Sequence, residues 1–268
     1  MAAYRARESA RRDAVFHDPL AARLAGVEGE AIADSLPASG AAYWAVVART
    51  YEIDRMVSEQ VAGGVDMVIN LAAGLDTRPY RMALPASLQW IEVDLPDLLA
   101  FKAGKLAGEH PACQLERIAL DLSDRNARRQ LLGTLTTRGR NVLVITEGLL
   151  IYLSEPAVSS LAEDLTSTSS VRWWIFEIVK AALLQRLQRT MGKRLAEQAN
   201  APLQFGPAEG PAYFEQFGWR VVESASMLRT AAKLHRLPWY LRPLTFFPDP
   251  KPSAQVPASA ICLLERKP

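Results

Sequence analysis

The stretch that most constrains the fold of this chain runs from Val65 to Arg81. A mostly apolar run, Val65–Ile69, passes directly into Asn70–Arg81, which contains Gly74 and then becomes compatible with a helix. A β-branched run, a glycine turn and a helix in this order are typical of the first strand, loop and helix of a βαβ unit. Glycine allows a ligand to approach the backbone closely, and the helix N-terminus offers free N–H groups. The stretch therefore predicts either a nucleotide-type ligand site or an ordinary strand-to-helix turn.

Strand and helix patterns alternate from residue 66 to about residue 178. The predicted strands are Met67–Leu71, Gln89–Asp94, Leu115–Leu120, Asn141–Thr146 and Val171–Ile178, with helical stretches near residues 78–83, 96–107, 124–138 and 155–167. Such alternation predicts an α/β fold, a doubly wound parallel sheet with right-handed crossovers. Two further strands are predicted at Trp219–Glu223 and Ala258–Glu265.

The segments outside this alternation predict additions to the sheet. Residues 1–62 carry apolar residues at helical spacing and predict an N-terminal helical cap, with Asp18 capping a helix that starts at Pro19. Residues 63–268 form the predicted main domain. Within it, the region from about 180 to 217 breaks the pattern with a polar helix at Leu183–Gln198 and a stretch rich in proline and glycine. We expect this insertion to act as a helical lid or substrate wall.

Composition argues against several classes of protein. The net charge of +2 is too small for a nucleic-acid-binding face. Cys113 and Cys262 give neither a disulfide framework nor metal-ligand spacing, and the arginine-rich start lacks the apolar core of a secretion signal. Glu147 interrupts the longest apolar run before it reaches the roughly 18 residues of a membrane span. We therefore expect a cytoplasmic protein with no metal site and no nucleic-acid or membrane partner.

Acidic residues follow the predicted strands at one edge of the sheet. Ligands of such sheets bind beyond the carboxyl ends of the strands, which singles out Asp94, Asp121 and Glu147. Asp94 stands about 20 residues after the glycine loop, where a carboxylate can bind ribose hydroxyls, although it can also cap the helix at Pro96. The loop lacks the glycine patterns of pyrophosphate and phosphate sites. A nucleoside without phosphates fits better, and S-adenosylmethionine is such a cofactor.

Four motifs resemble the leucine carboxyl methyltransferase family. They are the Gly-Leu-Asp-Thr-Arg core of residues 70–81, Glu92–Pro96, Ala119–Leu122 and Thr146–Leu153. The resemblance runs from about Arg7 to about Tyr152 and is nearest in type to bacterial carboxyl O-methyltransferases of polyketides and other small molecules. It implies a Rossmann-like class I S-adenosylmethionine-dependent methyltransferase fold, with a mostly parallel seven-stranded sheet whose last strand is antiparallel.

The resemblance also implies roles for individual residues. Those that match cofactor-binding positions are Arg7 and Arg49 for the cofactor carboxylate, Ala73 and Gly74 in the close-approach turn, Asp94 for the ribose, Asp121 and Leu122 for adenine, and Glu147 near the methionine moiety. Tyr152 matches the tyrosine that faces substrate and is the candidate catalytic residue. Ala72 and Ala73 occupy positions where the family commonly has glycine.

The chemistry of methyl transfer favours a carboxylate acceptor. A sulfonium methyl group is already activated, so the enzyme has mainly to orient an oxygen nucleophile. A carboxylate is ionised at neutral pH, whereas a phenol with a pKa near ~10 needs a base. His17, His110 and His235 lie outside the strand-edge group, and His235 is the remaining candidate base. We predict carboxyl O-methylation, with phenol O-methylation and cofactor binding without catalysis as alternatives.

Aromatic residues of the C-terminal part are candidates for the acceptor pocket. Tyr213, Phe214, Phe217 and Trp239, together with Tyr152, flank the predicted open edge of the sheet. An apolar pocket with few polar groups suits a small aromatic or polyketide-like acid. We expect this acid to be the partner of a protein that acts as a monomer or a homodimer.

Overall fold

One sheet of seven strands lies at the centre of the described chain. The computed structural model describes residues 1–35, 39–135, 137–189, 202–246 and 258–268. The strands are β1 Met67–Leu71, β2 Gln89–Asp94, β3 Gln114–Ala119, β4 Val142–Thr146, β5 Val171–Val179, β6 Trp219–Ser226 and β7 Ser259–Arg266. Their order is β3-β2-β1-β4-β5-β7-β6, and β7 runs antiparallel between β5 and β6. The remaining pairs are parallel, which confirms the predicted α/β fold and the antiparallel last strand.

The helices cover both faces of the sheet. They are α1 Ala2–Ser9, α2 Ala21–Ser35, α3 Ser39–Ala62, α4 Arg78–Arg81, α5 Pro96–Lys105, α6 Arg125–Leu135, α7 Glu155–Thr166, α8 Ala181–Leu187 and α9 Met227–Lys233. Shorter 3-10 segments lie at Leu150–Tyr152, Gly210–Phe217 and Trp239–Phe246. None of the described helices has both the length and the apolar character needed to cross a membrane.

Alternation along the strands produces two cores. On one face, Met67 and Ile69 of β1 pack with α6 and α7; on the other, Val68 packs with Ile53 and Met56 of α3. Successive side chains of a strand point to opposite faces, so a strand covered on both sides is apolar at every position. All residues of β1 and β4 are buried, whereas the edge strand β3 alternates toward solvent.

Most predicted elements agree with the structure at their boundaries, with a few corrections. The predicted helix Leu183–Gln198 begins as α8, but residues 190–201 lie outside the described residues. The strand predicted at Trp219–Glu223 continues to Ser226. The predicted cap at Asp18 is wrong, because Asp18 Oδ2 accepts hydrogen bonds from Arg5 and Thr77 instead. Asp18 thus joins α1 to the loop that follows β1.

Candidate functional site

A cavity of about 340 Å³ lies where β1 and β4 end. Its walls come from the start of the chain and α1, the loop after β1, and the loop after β4. The lining residues include Arg5, Arg49, Asn70, Ala72, Ala73, Gly74, Asp76, Arg78, Glu147, Gly148 and Tyr152. Since β2 and β4 lie on opposite sides of β1, chain connections diverge here. Such switch points at the carboxyl ends of parallel strands are where this type of sheet binds ligands.

The loop after β1 has a left-handed backbone at two positions. Ala72 has φ +57° and Gly74 has φ +52°. A Cβ atom added at Gly74 would come no closer than 4.0 Å to the protein, at Ala72 O. The backbone angle therefore favours glycine at this position, and the surrounding protein does not crowd it. The neighbouring strand supports the loop, because Gly74 N donates to Asp94 Oδ2 at 2.6 Å.

Alternating charges form a network along the cavity. Arg78 Nη1 donates to Glu147 Oε2 at 2.7 Å and to Asp76 Oδ2 at 3.1 Å, and its side chain is only 2% exposed. Arg49 Nη1 donates to Glu177 Oε2 at 2.6 Å, and Arg49 Nε lies 2.9 Å from Glu147 Oε1. Buried charges of this kind are tolerated when they are paired and hydrogen-bonded. The network fixes both guanidinium groups relative to Glu147.

The network sets the protonation states of the site. Burial opposes ionisation of Glu147, but the charges of Arg78 and Arg49 outweigh it and lower the pKa of Glu147 below its ordinary value. The same balance, with Arg78 and Lys102 outweighing burial, lowers the pKa of Asp76 to about 2. Burial, and next the nearby Glu177 carboxylate, raise the pKa of Tyr152. At neutral pH the carboxylates are therefore ionised and Tyr152 keeps its hydroxyl proton.

Two buried polar atoms of the cavity residues lack a hydrogen-bond partner. Arg49 Nε is close to Glu147, but the geometry does not make a hydrogen bond, and Asn70 Oδ1 has no donor. Buried polar groups are usually satisfied, so orphaned ones call for an explanation. One orphan donates and the other accepts, as a ligand with both a carboxylate and an ammonium group requires. The residues therefore fit the methionine end of S-adenosylmethionine.

The structure brings together five of the predicted site residues. Arg49, Ala73, Gly74, Glu147 and Tyr152 all line the cavity. Asp94 lies beside it, holding the Gly74 amide with one oxygen and the Leu95 amide with the other, at 2.8 Å. Asp94 therefore does not cap α5 as predicted, because no side chain caps that helix and Asp94 Oδ1 accepts only from the amide of Leu95, the next residue.

Three other predicted cofactor residues lie elsewhere. Arg7 does not line the cavity; it donates to Glu30 and Asp34 at the surface, while Arg5 lines the cavity. Asp121 is exposed and accepts a hydrogen bond from Ser123 N, and Leu122 packs against the core. These two residues follow β3, two strands away from β1.

The predicted aromatic pocket residues separate into different environments. Tyr213 lines a second cavity of about 540 Å³, with its hydroxyl 2.8 Å from Ser159 Oγ. Phe214 is a correction: it is fully buried against Trp174 and belongs to the core. Phe217 packs partly buried against the same core, and Trp239 is 79% exposed. Neither Phe217 nor Trp239 lines either cavity.

Sequence reasoning missed Arg5, Asn70 and Glu177. Arg5 Nε donates to Asp18 at 2.8 Å, and Arg5 Nη2 donates to Leu75 O, so its guanidinium is fixed at the cavity wall. Asn70 is a polar residue near the end of β1, and it begins the stretch Asn70–Arg81 that the sequence analysis singled out. Glu177 lies near the carboxyl end of β5, and extending the strand-edge rule to that strand identifies it.

The sequence matches a known protein family. The model of the family described as leucine carboxyl methyltransferase matches residues 1–166. A candidate S-adenosyl-L-methionine-dependent methyltransferase of Frankia alni is 33% identical over 247 residues, covering 88% of this chain and 86% of the relative.

Two solved structures share the fold. A DUF574 family protein from Streptomyces avermitilis has a TM-score of 0.58 at 15% identity and covers 100% of this chain and 97% of its own. A candidate methyltransferase from Thermobifida fusca has a TM-score of 0.58 at 13% identity, covering 100% of this chain and 95% of its own. At these identities the likeness concerns the fold alone. Because the family model covers more than half of the sequence, this chain belongs to the leucine carboxyl methyltransferase family.

Proposed function

We propose that this protein methylates the carboxylate of a small aromatic or polyketide-like acid. Its family makes it an S-adenosylmethionine-dependent methyltransferase. The observation that supports the finer proposal is the lining of the cavity, which among the described residues pairs arginines with carboxylates and includes Tyr152 but no histidine. Such a lining can orient an acceptor that is already ionised.

The methionine part and the ribose of the cofactor each have candidate groups in the chain. Arg5 and Arg49 would hold the methionine carboxylate, Asn70 Oδ1 would accept from the ammonium group, and Asp94 would bind the ribose hydroxyls. When bound, S-adenosylmethionine supplies an electrophilic methyl group on a sulfonium. Ionised Glu147 lies at the end of β4 and contributes negative charge close to Arg49 and Arg78. A cavity of about 340 Å³ is within the range of small-molecule sites.

The acidic groups of the site are poor bases. Glu147 is engaged by two arginines and its pKa is lowered, and Glu177 is bound to Arg49 at 2.6 Å. Tyr152 has a raised pKa and retains its proton, so it can donate a hydrogen bond to an acceptor oxygen. A carboxylate acceptor needs no proton removal, and orienting it can contribute up to ~7–11 kcal/mol to lowering the barrier.

The walls of the two cavities touch at Tyr152 and Gln204. The Tyr152 side chain lines the first cavity, while its carbonyl oxygen accepts from Gln204 Nε2 at 2.8 Å, and Gln204 lines the second. Phe205 and Tyr213 give the second cavity aromatic walls, their ring centroids 5.2 Å apart. This arrangement supports an acid whose carboxylate reaches Tyr152 and whose aromatic part rests on Phe205 and Tyr213.

The test is methyl transfer to a library of aromatic carboxylic acids and phenols, using cofactor with a labelled methyl group. We expect transfer to carboxylic acids, and release of the label as methanol in mild alkali because a methyl ester is hydrolysed. A product that survives alkali as an ether would replace this proposal with phenol methylation. Binding of S-adenosylhomocysteine without any transfer would favour a non-catalytic binding protein.

A further inference from the structure

A buried ion pair outside both cavities links α1 to the segment that follows α9. The Glu8 carboxylate is fully buried at the end of α1 and accepts from Arg236 Nε and Nη2, each at 2.9 Å. Arg236 lies between α9 and the 3-10 segment Trp239–Phe246, and its side chain is 3% exposed. Glu8 also accepts from Val15 N at 2.8 Å and from the Tyr43 hydroxyl.

The backbone before Arg236 directs it inward. His235 has φ +56°, a left-handed conformation that is costly for a residue with a side chain. Arg236 N donates to Ala231 O at 2.8 Å, so α9 ends in a tight turn at His235. From this turn Arg236 also donates to the backbone oxygen of Asp13 at 2.5 Å. Two side-chain hydrogen bonds from Arg236 to Glu8 therefore hold α1 against the C-terminal connection, and two more, to Asp13, hold the segment that follows α1.

Neither Glu8 nor Arg236 lines the cavity of about 340 Å³, but α1 carries Arg5 into it. Arg5 and Glu8 are three residues apart on α1, so they lie close together on neighbouring turns of one helix. Arg5 is held from the other side by Asp18, which also accepts from Thr77 at 2.6 Å. Besides its contacts with α2 through Tyr4 and Arg7, the helix is therefore held by Asp18 near the loop after β1 and by Arg236 near the C-terminal connection.

An eight-residue helix cannot hold its own position, because isolated helices of this length are marginal in water. Its placement depends on tertiary contacts, and Glu8 makes the most buried polar ones. A shift of about 1 Å at α1 would move the Arg5 guanidinium relative to Arg49 and Asn70. Misplacement on this scale can strongly weaken a site that depends on geometry.

We propose that Arg236 is a positioning residue for the cofactor site: through its ion pair with Glu8 it fixes α1 and thereby sets Arg5 where the cofactor carboxylate binds. This inference rests on the proposed cofactor site. It assigns the C-terminal connection, which lies outside the part matched by the family model, a role in cofactor affinity.

The test is calorimetric titration of the full chain with S-adenosylhomocysteine, at a temperature where circular dichroism shows every variant folded. We expect Arg236→Met to weaken binding at least tenfold and Arg236→Lys, which keeps the charge, to remain within about threefold of wild type. The control Leu165→Ala removes a fully buried side chain from α7 and lowers stability without touching α1. It should bind within twofold of wild type.

Steady-state kinetics add a readout that a loss of stability alone does not move. Arg236→Met should raise KM for S-adenosylmethionine while leaving KM for the acceptor unchanged. If Arg236→Met does not fold, Glu8→Gln replaces it in the same measurements and should also weaken binding at least tenfold, because it leaves Arg236 without its charged partner. Binding by Arg236→Met or Glu8→Gln as tight as that of Leu165→Ala would overturn the inference. Absence of binding by the wild type would instead refute the proposed cofactor site.

Discussion

Ala72, in the loop after β1, has an unfavourable backbone conformation for a residue with a side chain. Its φ of +57° is left-handed, a conformation that costs an alanine roughly 1–2 kcal/mol more than a glycine. Ala73, the next residue, is not in that conformation and donates its amide to Val93 O at 3.2 Å. Of these two adjacent alanines, only Ala72 has a strained backbone.

This difference predicts opposite effects of two neighbouring substitutions. Ala72→Gly should raise the free energy of unfolding by about 0.5–1 kcal/mol, because relief of strain exceeds the entropy that glycine adds to the unfolded chain. Ala73→Gly is the matched control and should lower it by about 0.5–1 kcal/mol. Urea denaturation of both variants measures the two effects. Destabilisation of equal size by both would show that position 72 is unstrained.

Asp76 gives a second prediction at this scale, through pH. Its pKa is lowered to about 2 in the folded protein from an ordinary value of 3.8. A depressed carboxyl pKa contributes stability that is fully present above the unfolded pKa and is lost as pH falls through the folded pKa. Asp76 should therefore contribute about 2 kcal/mol at neutral pH, lost between about pH 4 and pH 2.

The measurement compares unfolding free energies of wild type and Asp76→Asn from pH 7 to pH 2. Wild type should lose about 2 kcal/mol more than the variant across the acid range, since only wild type binds a proton at position 76 on unfolding. Arg78 keeps Asp54 and Glu147 as partners in the variant, so its charge stays compensated. Parallel pH curves for the two proteins would show that the Asp76 pKa is not depressed.

At the scale of elements, strands could be predicted more fully than the site. β1 and β4 are short runs of buried apolar residues, and their sequence pattern reports burial directly. Arg5 and Arg7 are both in α1, where two positions differ by about 200° around the axis. One faces the cavity and the other faces Glu30, but eight residues give too little periodicity to decide which.

Side chains that meet across long sequence separations could not be predicted from local patterns. Glu177 lies inside β5, one position before the predicted strand end, and its partner Arg49 is 128 residues away. The local sequence around Phe214 does not distinguish a buried aromatic residue from one that lines a pocket, but its packing against Trp174 places it in the core. The proximity of Asp94 to Gly74, by contrast, could be predicted, because the strand end and its spacing from Gly74 are both visible in the sequence.

The stretch after residue 202 packs closely against α8 and gives a prediction at the element scale. A Cβ atom on Gly206 would lie 2.9 Å from Leu184 Cδ2 and 3.0 Å from Val179 O. Because a backbone oxygen cannot move aside, Gly206→Ala should lower the free energy of unfolding by about 1–3 kcal/mol. Gly206 also lines the second cavity, so KM for the acceptor should rise.

Gly104 offers the matched control for this substitution. It lies within α5, and an added Cβ atom there meets no atom within 4 Å. Gly104→Ala should therefore raise stability by up to about 1 kcal/mol through its higher helix propensity and leave acceptor KM unchanged. Urea denaturation and initial rates separate the two variants. Equal stability and equal acceptor KM for both would show that Gly206 is not closely packed.

At the scale of the whole molecule, the cavity of about 340 Å³ joins parts that are distant in sequence. Arg5 comes from α1, Arg49 from α3, Gly74 and Glu147 from the loops after β1 and β4, and Glu177 supports Arg49 from β5. The sheet order brings these strand ends to one place, so the site exists only in the folded chain. A ligand that binds this site must therefore stabilise the whole fold by linkage.

This linkage gives a prediction for the cofactor product. At S-adenosylhomocysteine concentrations 100 times its Kd, the free energy of unfolding of wild type should rise by about 2.7 kcal/mol. Asp94→Ala removes the carboxylate that we propose for the ribose, together with the support of the Gly74 amide, and loss of charge-assisted hydrogen bonds should weaken binding about twentyfold. At the same ligand concentration the variant should then gain only about 1 kcal/mol.

The control and the comparison ligand make this measurement specific. Asp97→Ala removes an exposed carboxylate from the first turn of α5, three residues further along, and should keep the full ligand-induced gain. NAD should not stabilise wild type or either variant, because the loop after β1 lacks the glycines that admit a pyrophosphate. Chemical denaturation with and without each ligand checks all three expectations. An undiminished gain in Asp94→Ala would mean that the nucleoside binds elsewhere, and the strand-edge assignment of the cofactor would have to be abandoned.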